Sequence, residues 1–284
     1  MSKARPTLSV KRQYNRGKKF LGMTNTLGGA FRAMHRIGAF KEPPRDKLPP
    51  YVQTFCRKMA NSFGVEIVEV EPVPKNHALW VSNHVSWMDI PVVGTVSRAF
   101  FLSKAEIGEW PVFGALVKAS GNLFIKRGSG DANVVIDQIA DFLKAGHSVS
   151  IFPEATTTDG KRIKRVHGKL LKAAMDAGVP IQPMVVCYAS GKGELSKEVP
   201  YFGKQSMKAS INKVLDSHDV KGYVLPLAAI DTEGRTQDEL TAMLQESMEK
   251  GLAELQKRVL NKKAYAALEA ELAARPQEVK AKAA

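Results

Sequence analysis

From residue 65 onward, short apolar runs alternate with amphipathic stretches, and this alternation restricts the fold more than any other feature of the chain. Strands that alternate with helices usually pair in parallel, because each helical crossover returns the chain to the end of the sheet where the previous strand began. We therefore predict an α/β fold with a mostly parallel central sheet flanked by helices. The apolar runs predict strands at 65–70, 78–82, 99–103, 121–125, 148–152 and 180–188. The amphipathic stretches predict helices at 88–97, 109–119, 131–145 and 168–177.

The segments on either side of this core are predicted to be helical. Residues 1–64 form a basic segment with two amphipathic helices, 65–230 the α/β domain, and 231–284 a helical C-terminal segment built on a long helix at 236–259. The apolar stripe of the first N-terminal helix suits either packing against the core or insertion into a membrane interface. That stripe consists of Phe20, Met23, Leu27, Phe31, Met34 and Ile37.

Positive charge is concentrated at the N-terminus. The chain has a net charge of +14, and residues 1–50 contribute ten of these charges, with twelve Lys and Arg against two acids. Such a segment suits nucleic acid or an anionic membrane surface, but no zinc-finger spacing or other docking motif for nucleic acid accompanies it. No run approaches the ~20 apolar residues of a spanning helix, and no signal-peptide pattern occurs. We expect a peripheral protein on the cytoplasmic face of a membrane, and the two separated cysteines indicate reduced thiols.

The segment 83–89 combines a potential base with a carboxylate. His84 follows an apolar run that predicts a buried strand, and Asp89 falls in the first turn of the next helix. If the turn folds back, Asp89 accepts from one imidazole nitrogen and leaves the other free to take a proton from a hydroxyl. Two alternatives stay open at this point: an ordinary polar turn, or a zinc site that includes His77.

Two further strand ends carry polar residues. Residues 121–128 end an apolar run with Lys126, Arg127 and a glycine, and ligands of α/β proteins often bind at such strand ends. Residues 151–160 end another run with a carboxylate, Glu154, and three threonines, of which Thr156 is one. Beyond them, residues 161–172 hold six cations and no acid, and this stretch suits a phosphate, a lipid headgroup, an acidic carrier protein or a solvated helix face.

Together these blocks resemble the glycerolipid acyltransferase family, which includes the 1-acyl-glycerol-3-phosphate (lysophosphatidic acid) acyltransferases. The resemblance covers about residues 65–190. It rests on four blocks in the family's order: Asn83-His84 with Asp89 after four residues, Phe124-Ile125-Lys126-Arg127, Phe152-Pro153-Glu154, and Val179-Pro180-Ile181-Gln182-Pro183.

The resemblance implies transfer of a fatty acyl group from acyl-CoA or acyl-carrier protein to the hydroxyl of a lysophospholipid, giving phosphatidic acid from 1-acyl-glycerol-3-phosphate. It implies His84 as general base, Asp89 as its orienting partner, and neither a metal ion nor a bound cofactor. The substrate-binding residues expected on this basis are Arg127, Glu154, Thr156, Lys161 and Arg162.

The third block departs from the family pattern, which usually reads Phe-Pro-Glu-Gly-Thr and often continues with Arg. Here Ala155 stands at the Gly position and Thr157 where the Arg often stands. If the position requires a positive φ, alanine costs ~1 kcal/mol or more. The sequence therefore defines the acceptor less well than the reaction, and another lysolipid such as lyso-ornithine lipid is an alternative acceptor. An alternative function is that of a non-catalytic lipid-binding protein.

Overall fold

The computed structural model describes residues 10–125 and 132–274. Seven strands form one sheet in the order β1-β7-β6-β2-β5-β3-β4, in which all neighbours are parallel except the antiparallel pair β6–β7. The strands are β1 Val65–Glu69, β2 Leu79–Ser82, β3 Phe100–Lys104, β4 Leu123–Ile125, β5 Val149–Ile151, β6 Ile181–Ser190 and β7 Val220–Pro226. The prediction of a mostly parallel sheet flanked by helices is confirmed.

Helices cover both faces of this sheet. The α-helices are α1 Val10–Arg36, α2 Leu48–Ser62, α3 Asp89–Val96, α4 Phe113–Ala119, α5 Ala132–Lys144, α6 Lys172–Ala177, α7 Met207–Asp216, α8 Gln237–Val259 and α9 Lys262–Ala274. Short 3-10 helices lie at Arg45–Lys47, Ala105–Glu109 and Gly168–Leu171. In the described part of the chain, no helix combines the length and the apolar character needed to cross a membrane.

Alternate residues of β2 point to opposite faces of the sheet and so define two cores. Leu79 and Val81 belong to a core formed with α5, α6 and α8. Trp80 belongs to the opposite core, against which α2, α3 and α7 pack. The active-site candidates lie where β2 and β5 end, between these two layers.

Several predicted elements differ from the observed ones at their ends. The helix predicted at 109–119 begins only at Phe113, because Pro111 and the positive φ of Val112 separate it from the preceding 3-10 helix. The helix predicted at 168–177 starts as a 3-10 turn and becomes α-helical at Lys172. α1 begins ten residues before the predicted start of its apolar stripe. The sequence pattern predicts neither α7 nor β7. The proposed division into three segments stays a prediction.

The apolar stripe of α1 packs mainly against the protein. Met23 and Leu27 contact the core on the α2–α3 face, and Met34 is buried with α2 and α4. Phe20 is the exception, since 58% of its surface is exposed. Most of the stripe therefore packs against the core, which is the first of the two alternatives, rather than facing a membrane interface.

Candidate active site

The turn between β2 and α3 brings His84 and Asp89 into direct contact. Asp89 is the first residue of α3, and its Oδ2 lies 2.7 Å from Nδ1 of His84. The same oxygen accepts from the backbone amides of Val85 at 2.6 Å and Ser86 at 2.9 Å. The carboxylate thus closes a tight turn around the histidine, as the spacing of the two residues predicts.

Asp89 is fully buried, and both of its oxygens have donors. Oδ1 accepts from the hydroxyl of Tyr188, on β6, at 2.8 Å. A buried carboxylate is costly unless its lone pairs are satisfied, and here two amides, an imidazole and a phenol satisfy them. Burial and the charge of Asp89 raise the pKa of Tyr188 well above its usual value, so Tyr188 stays a donor.

The backbone of His84 is fixed from the neighbouring strand end. Its amide donates to Oε1 of Glu154 at 2.8 Å, and its carbonyl accepts from the amide of Thr158 at 2.8 Å and from the Thr158 hydroxyl. On the other side, the side chain of Asn83 donates to the carbonyl of Val186 and accepts from its amide. The loop after β5 and strand β6 therefore hold the histidine between them.

Glu154 is buried and binds two backbone amides at once. Oε1 accepts from His84, and Oε2 accepts from the amide of Lys164 at 2.7 Å. Burial raises the pKa of Glu154 to about 7, while the two amides act in the opposite direction. This placement fits a residue that organises the site, because Glu154 links the backbones of His84 and Lys164. Contact of Glu154 with a substrate stays a prediction.

The imidazole of His84 lies flat against Phe152. The ring centroids are 4.2 Å apart and the planes differ by 16°. The His84 side chain is 19% exposed, and within the described chain no group hydrogen-bonds its Nε2. One nitrogen is therefore held by a buried carboxylate while the other is available to a ligand, which is the arrangement a general base requires.

Ala155 has a φ of +57°, a left-handed conformation that glycine adopts more easily. The glycine position of the third block therefore does have a positive φ, and in this chain an alanine with its Cβ occupies it. Gly160, with a φ of +75°, ends the same loop against Val85.

The remaining predicted binding residues are only partly gathered at the site. Thr156 is exposed in the loop after β5, and Arg162 is half-buried. Lys161 forms an ion pair with both carboxylate oxygens of Glu271, on α9, at 2.6 and 2.7 Å. Arg127 lies outside the described residues. Their binding roles stay predictions.

An apolar cavity of about 60 Å³ lies behind the aromatic residues of the site. Phe101 lines it and stacks on Phe152, which in turn stacks on His84. The other walls come from α1, α2 and α4, and they include Met34, Phe55 and Leu116. Two stacked rings, Phe101 and Phe152, therefore lie between the cavity and the imidazole of His84.

The zinc alternative has no geometric support. His77 precedes β2 and lines a groove at the amino end of the sheet, whereas His84 follows the carboxyl end. The four strand residues between them span ~13 Å, so the two imidazoles do not share an ion. In the described ranges, no three His, Cys, Asp or Glu residues are grouped in a way that would hold a metal.

Sequence reasoning gave no role to four residues that shape the site. Asn83 and Phe152 lie within the quoted blocks and Thr158 follows the third, but their contacts depend on how the strands are ordered. Tyr188 is separated from Asp89 by 99 positions. A signal for it existed, because a tyrosine in an otherwise apolar buried strand needs a partner for its hydroxyl.

The family model for acyltransferases matches residues 64–187, which include His84, Asp89 and Glu154 and end one residue before Tyr188. Together with the α/β fold, this match indicates an acyltransferase domain over these residues.

Two curated relatives indicate which acyltransferases this chain is similar to. The chain is 33% identical to the lyso-ornithine lipid O-acyltransferase of Pseudomonas aeruginosa over 74% of its own length and 80% of the relative. It is 32% identical to the 1-acyl-sn-glycerol-3-phosphate acyltransferase of Neisseria gonorrhoeae over 50% of its length and 56% of that relative. The chain belongs to the family of lysolipid acyltransferases that includes these enzymes.

The fold has also been observed in a solved structure. The crystal structure of the 1-acyl-sn-glycerophosphate acyltransferase of Thermotoga maritima matches 87% of this chain and 97% of its own, with a TM-score of 0.63 and 19% identity. At this identity the likeness supports the α/β fold alone.

Proposed function

We propose that this acyltransferase moves a fatty acyl group from a thioester, on coenzyme A or an acyl-carrier protein, to the free hydroxyl of a lysolipid, with His84 as general base. The observation that carries the proposal is the 2.7 Å contact between His84 Nδ1 and a fully buried Asp89, which leaves Nε2 available. A binding protein has no need for a base oriented by a buried acid.

In the proposed reaction, Nε2 of His84 takes the proton of the acceptor hydroxyl as its oxygen attacks the thioester carbonyl. Asp89 stabilises the imidazolium that forms, and the tetrahedral intermediate then expels the thiolate, which receives the proton from His84. The amides of Val85 and Ser86 are already bound to Asp89, so they are committed to the pair rather than to the oxyanion. These steps use protein side chains and require no metal ion.

The apolar cavity supports an acyl-chain role for the space behind Phe152. An alkyl chain gains free energy on leaving water, at ~0.8 kcal/mol per buried methylene. The cavity is small, so a long chain would need the side chains of α1 and α4 to separate. The thioester carbonyl at its mouth would then lie beside the imidazole.

Two acceptors are candidates. 1-Acyl-glycerol-3-phosphate is the acceptor implied by the four sequence blocks, with Arg127 holding its phosphate and Thr156, Lys161 and Arg162 nearby. Lyso-ornithine lipid is favoured by the 33% identity to the Pseudomonas aeruginosa enzyme, which extends over most of both chains. The absence of the usual Arg at position 157 is consistent with a headgroup other than a phosphate monoester.

Substitution of the pair tests the reaction. His84→Ala should abolish nearly all turnover, and Asp89→Asn should lower kcat by ~10²-fold or more through loss of orientation. The exposed His218→Ala is the matched control. Turnover is measured with acyl-CoA and acyl-carrier protein against both acceptors, together with a thermal melt. A folded His84→Ala protein that retains full kcat would refute the mechanism, and the preferred acceptor is the one with the higher kcat/KM.

A further inference from the structure

A concentrated positive charge lies on the loop that follows Glu154. Lys161 is paired with Glu271, and Lys172 with Asp176. The other cations of residues 161–172 form no ion pair with any residue in the described ranges, and they are called here the basic ridge. The basic ridge consists of Arg162, Lys164, Arg165 and Lys169.

The basic ridge borders the catalytic histidine. The amide of Lys164 donates to Glu154 at 2.7 Å, and Glu154 accepts from the amide of His84 at 2.8 Å. The amide of His167 donates to the carbonyl of Pro153 at 3.0 Å. A molecule that docks on these cations would therefore lie next to the site where the acyl group is transferred.

The basic ridge and α1 lie over opposite faces of the sheet. Ile163, Val166 and Leu171, which alternate with the ridge cations, are buried in the core shared with α5 and α8. Met23 and Leu27 of α1 pack on the other core. The exposed apolar side chains of α1 are thus remote from the basic ridge, and two partners could reach the site from different sides.

The chemistry of the basic ridge favours a protein partner over a lipid surface. Interfacial surfaces combine cations with apolar side chains that insert among the lipids. Three of the ridge cations are exposed, but residues 161–172 present no exposed large apolar side chain. A surface with unpaired cations alone complements an acidic, soluble partner.

We propose that the basic ridge is the docking surface for a small acidic protein that carries the acyl chain as a thioester, an acyl-carrier protein. The inference rests on the proposed function, because it concerns the donor of that reaction. The carrier would bind from the α5–α8 face, on the side of the sheet opposite α1.

Charge reversal on the basic ridge tests the proposal. The variant Arg165→Glu with Lys169→Glu should lower kcat/KM for the acyl-carrier protein by about tenfold or more at low salt, because complementary charge speeds association. Its salt dependence should become flatter. With acyl-CoA, a much smaller anion, kcat/KM should fall clearly less than with the carrier. The variant Arg165→Lys with Lys169→Arg should behave as the unaltered protein.

The matched control is Lys262→Glu with Lys263→Glu, which changes the net charge equally at two exposed lysines of α9. It should leave both donors unaffected. An equal loss with both donors, an unchanged carrier reaction, or a carrier that is no substrate would each overturn the proposal. Weaker vesicle binding with unchanged donor kinetics would overturn it in favour of a membrane surface. Absence of transfer from every donor would instead refute the proposed function.

Discussion

The hydroxyl of Tyr188 donates to Oδ1 of Asp89 at 2.8 Å, on the side of the carboxylate opposite His84. Strand β6 thereby helps to hold the Asp89 carboxylate against His84. A hydrogen bond to a charged group typically contributes ~1.5–3 kcal/mol. We therefore expect Tyr188 to be a positioning residue, which acts on the histidine through Asp89.

Tyr188→Phe should lower kcat by about tenfold and move the acidic limb of the kcat/KM pH profile to higher pH. With one donor fewer, Asp89 interacts more strongly with the protonated imidazole, so a higher pH is needed to free the base. The profile is measured from pH 5 to 9.

Tyr223→Phe is the control for this experiment, because Tyr223 pairs with Cys187 on the adjacent strand, away from Asp89. It should leave the profile unchanged. If Tyr188→Phe also leaves the profile where it was, the contact with Asp89 has only a structural role.

The side-chain contact that the sequence predicts within the site is a local one. His84 and Asp89 are five positions apart, and their contact follows from a single turn at a strand end. Contacts such as that of Tyr188 require the order of the strands, which no local pattern specifies. The binding roles of Thr156 and Arg162 depend on a ligand and stay predictions.

β7 shows why part of the sheet escaped prediction. Its buried positions alternate as in a strand, but one of them is Gly222, where a Cβ would lie 3.2 Å from Val92 and 3.3 Å from Tyr188. Because α3 and β6 pack so closely on this position, it holds a glycine, and the apolar pattern of the strand is interrupted there. A strand interior with glycine and Lys221 has little hydrophobic periodicity to detect.

Ala155→Gly should stabilise the protein. The alanine has a φ of +57°, and removing its Cβ relieves ~1 kcal/mol of backbone strain, which corresponds to a rise in Tm of ~2 °C for a chain of this size. The control is Ala253→Gly in the exposed face of α8, which should destabilise by a similar amount because glycine disfavours helix. A lower Tm for both variants would show that the Ala155 conformation is not strained.

Glu154 should make folding stability depend on pH. Burial raises its pKa from 4.5 to about 7 in the folded protein, so between these values the folded state binds more protons than the unfolded state. Its contribution to stability is therefore largest below about pH 4.5 and falls as pH rises through about 7, by on the order of 3 kcal/mol.

Denaturant unfolding between pH 5 and 8 measures this effect. Glu154→Gln should be less stable overall, because its amide nitrogen would face one of the two backbone donors. Its stability should nevertheless change less with pH than that of the unaltered protein. Parallel pH dependences for the two proteins would argue against a raised pKa for Glu154.

The N-terminal helix should bind anionic membranes through its first half. Tyr14, Phe20 and Leu21 are each more than half exposed, and Lys18 lies over the ring of Tyr14. The cations Arg12 and Arg16 instead pair with Asp216 of α7, and so they hold the helix to the protein.

We therefore expect the triple variant Tyr14→Ser, Phe20→Ser and Leu21→Ser to lose most binding to anionic vesicles. Deletion of residues 1–40 is a poorer test, because it would remove the buried Ala30 and Met34. Binding of the unaltered protein should weaken with salt, as the Debye length falls below ~10 Å, but should not vanish, since apolar insertion is insensitive to salt. The control is Val134→Ser, at an exposed site on α5. Vesicle cosedimentation decides the question, and equal binding by the triple variant would place the membrane contact elsewhere on the protein.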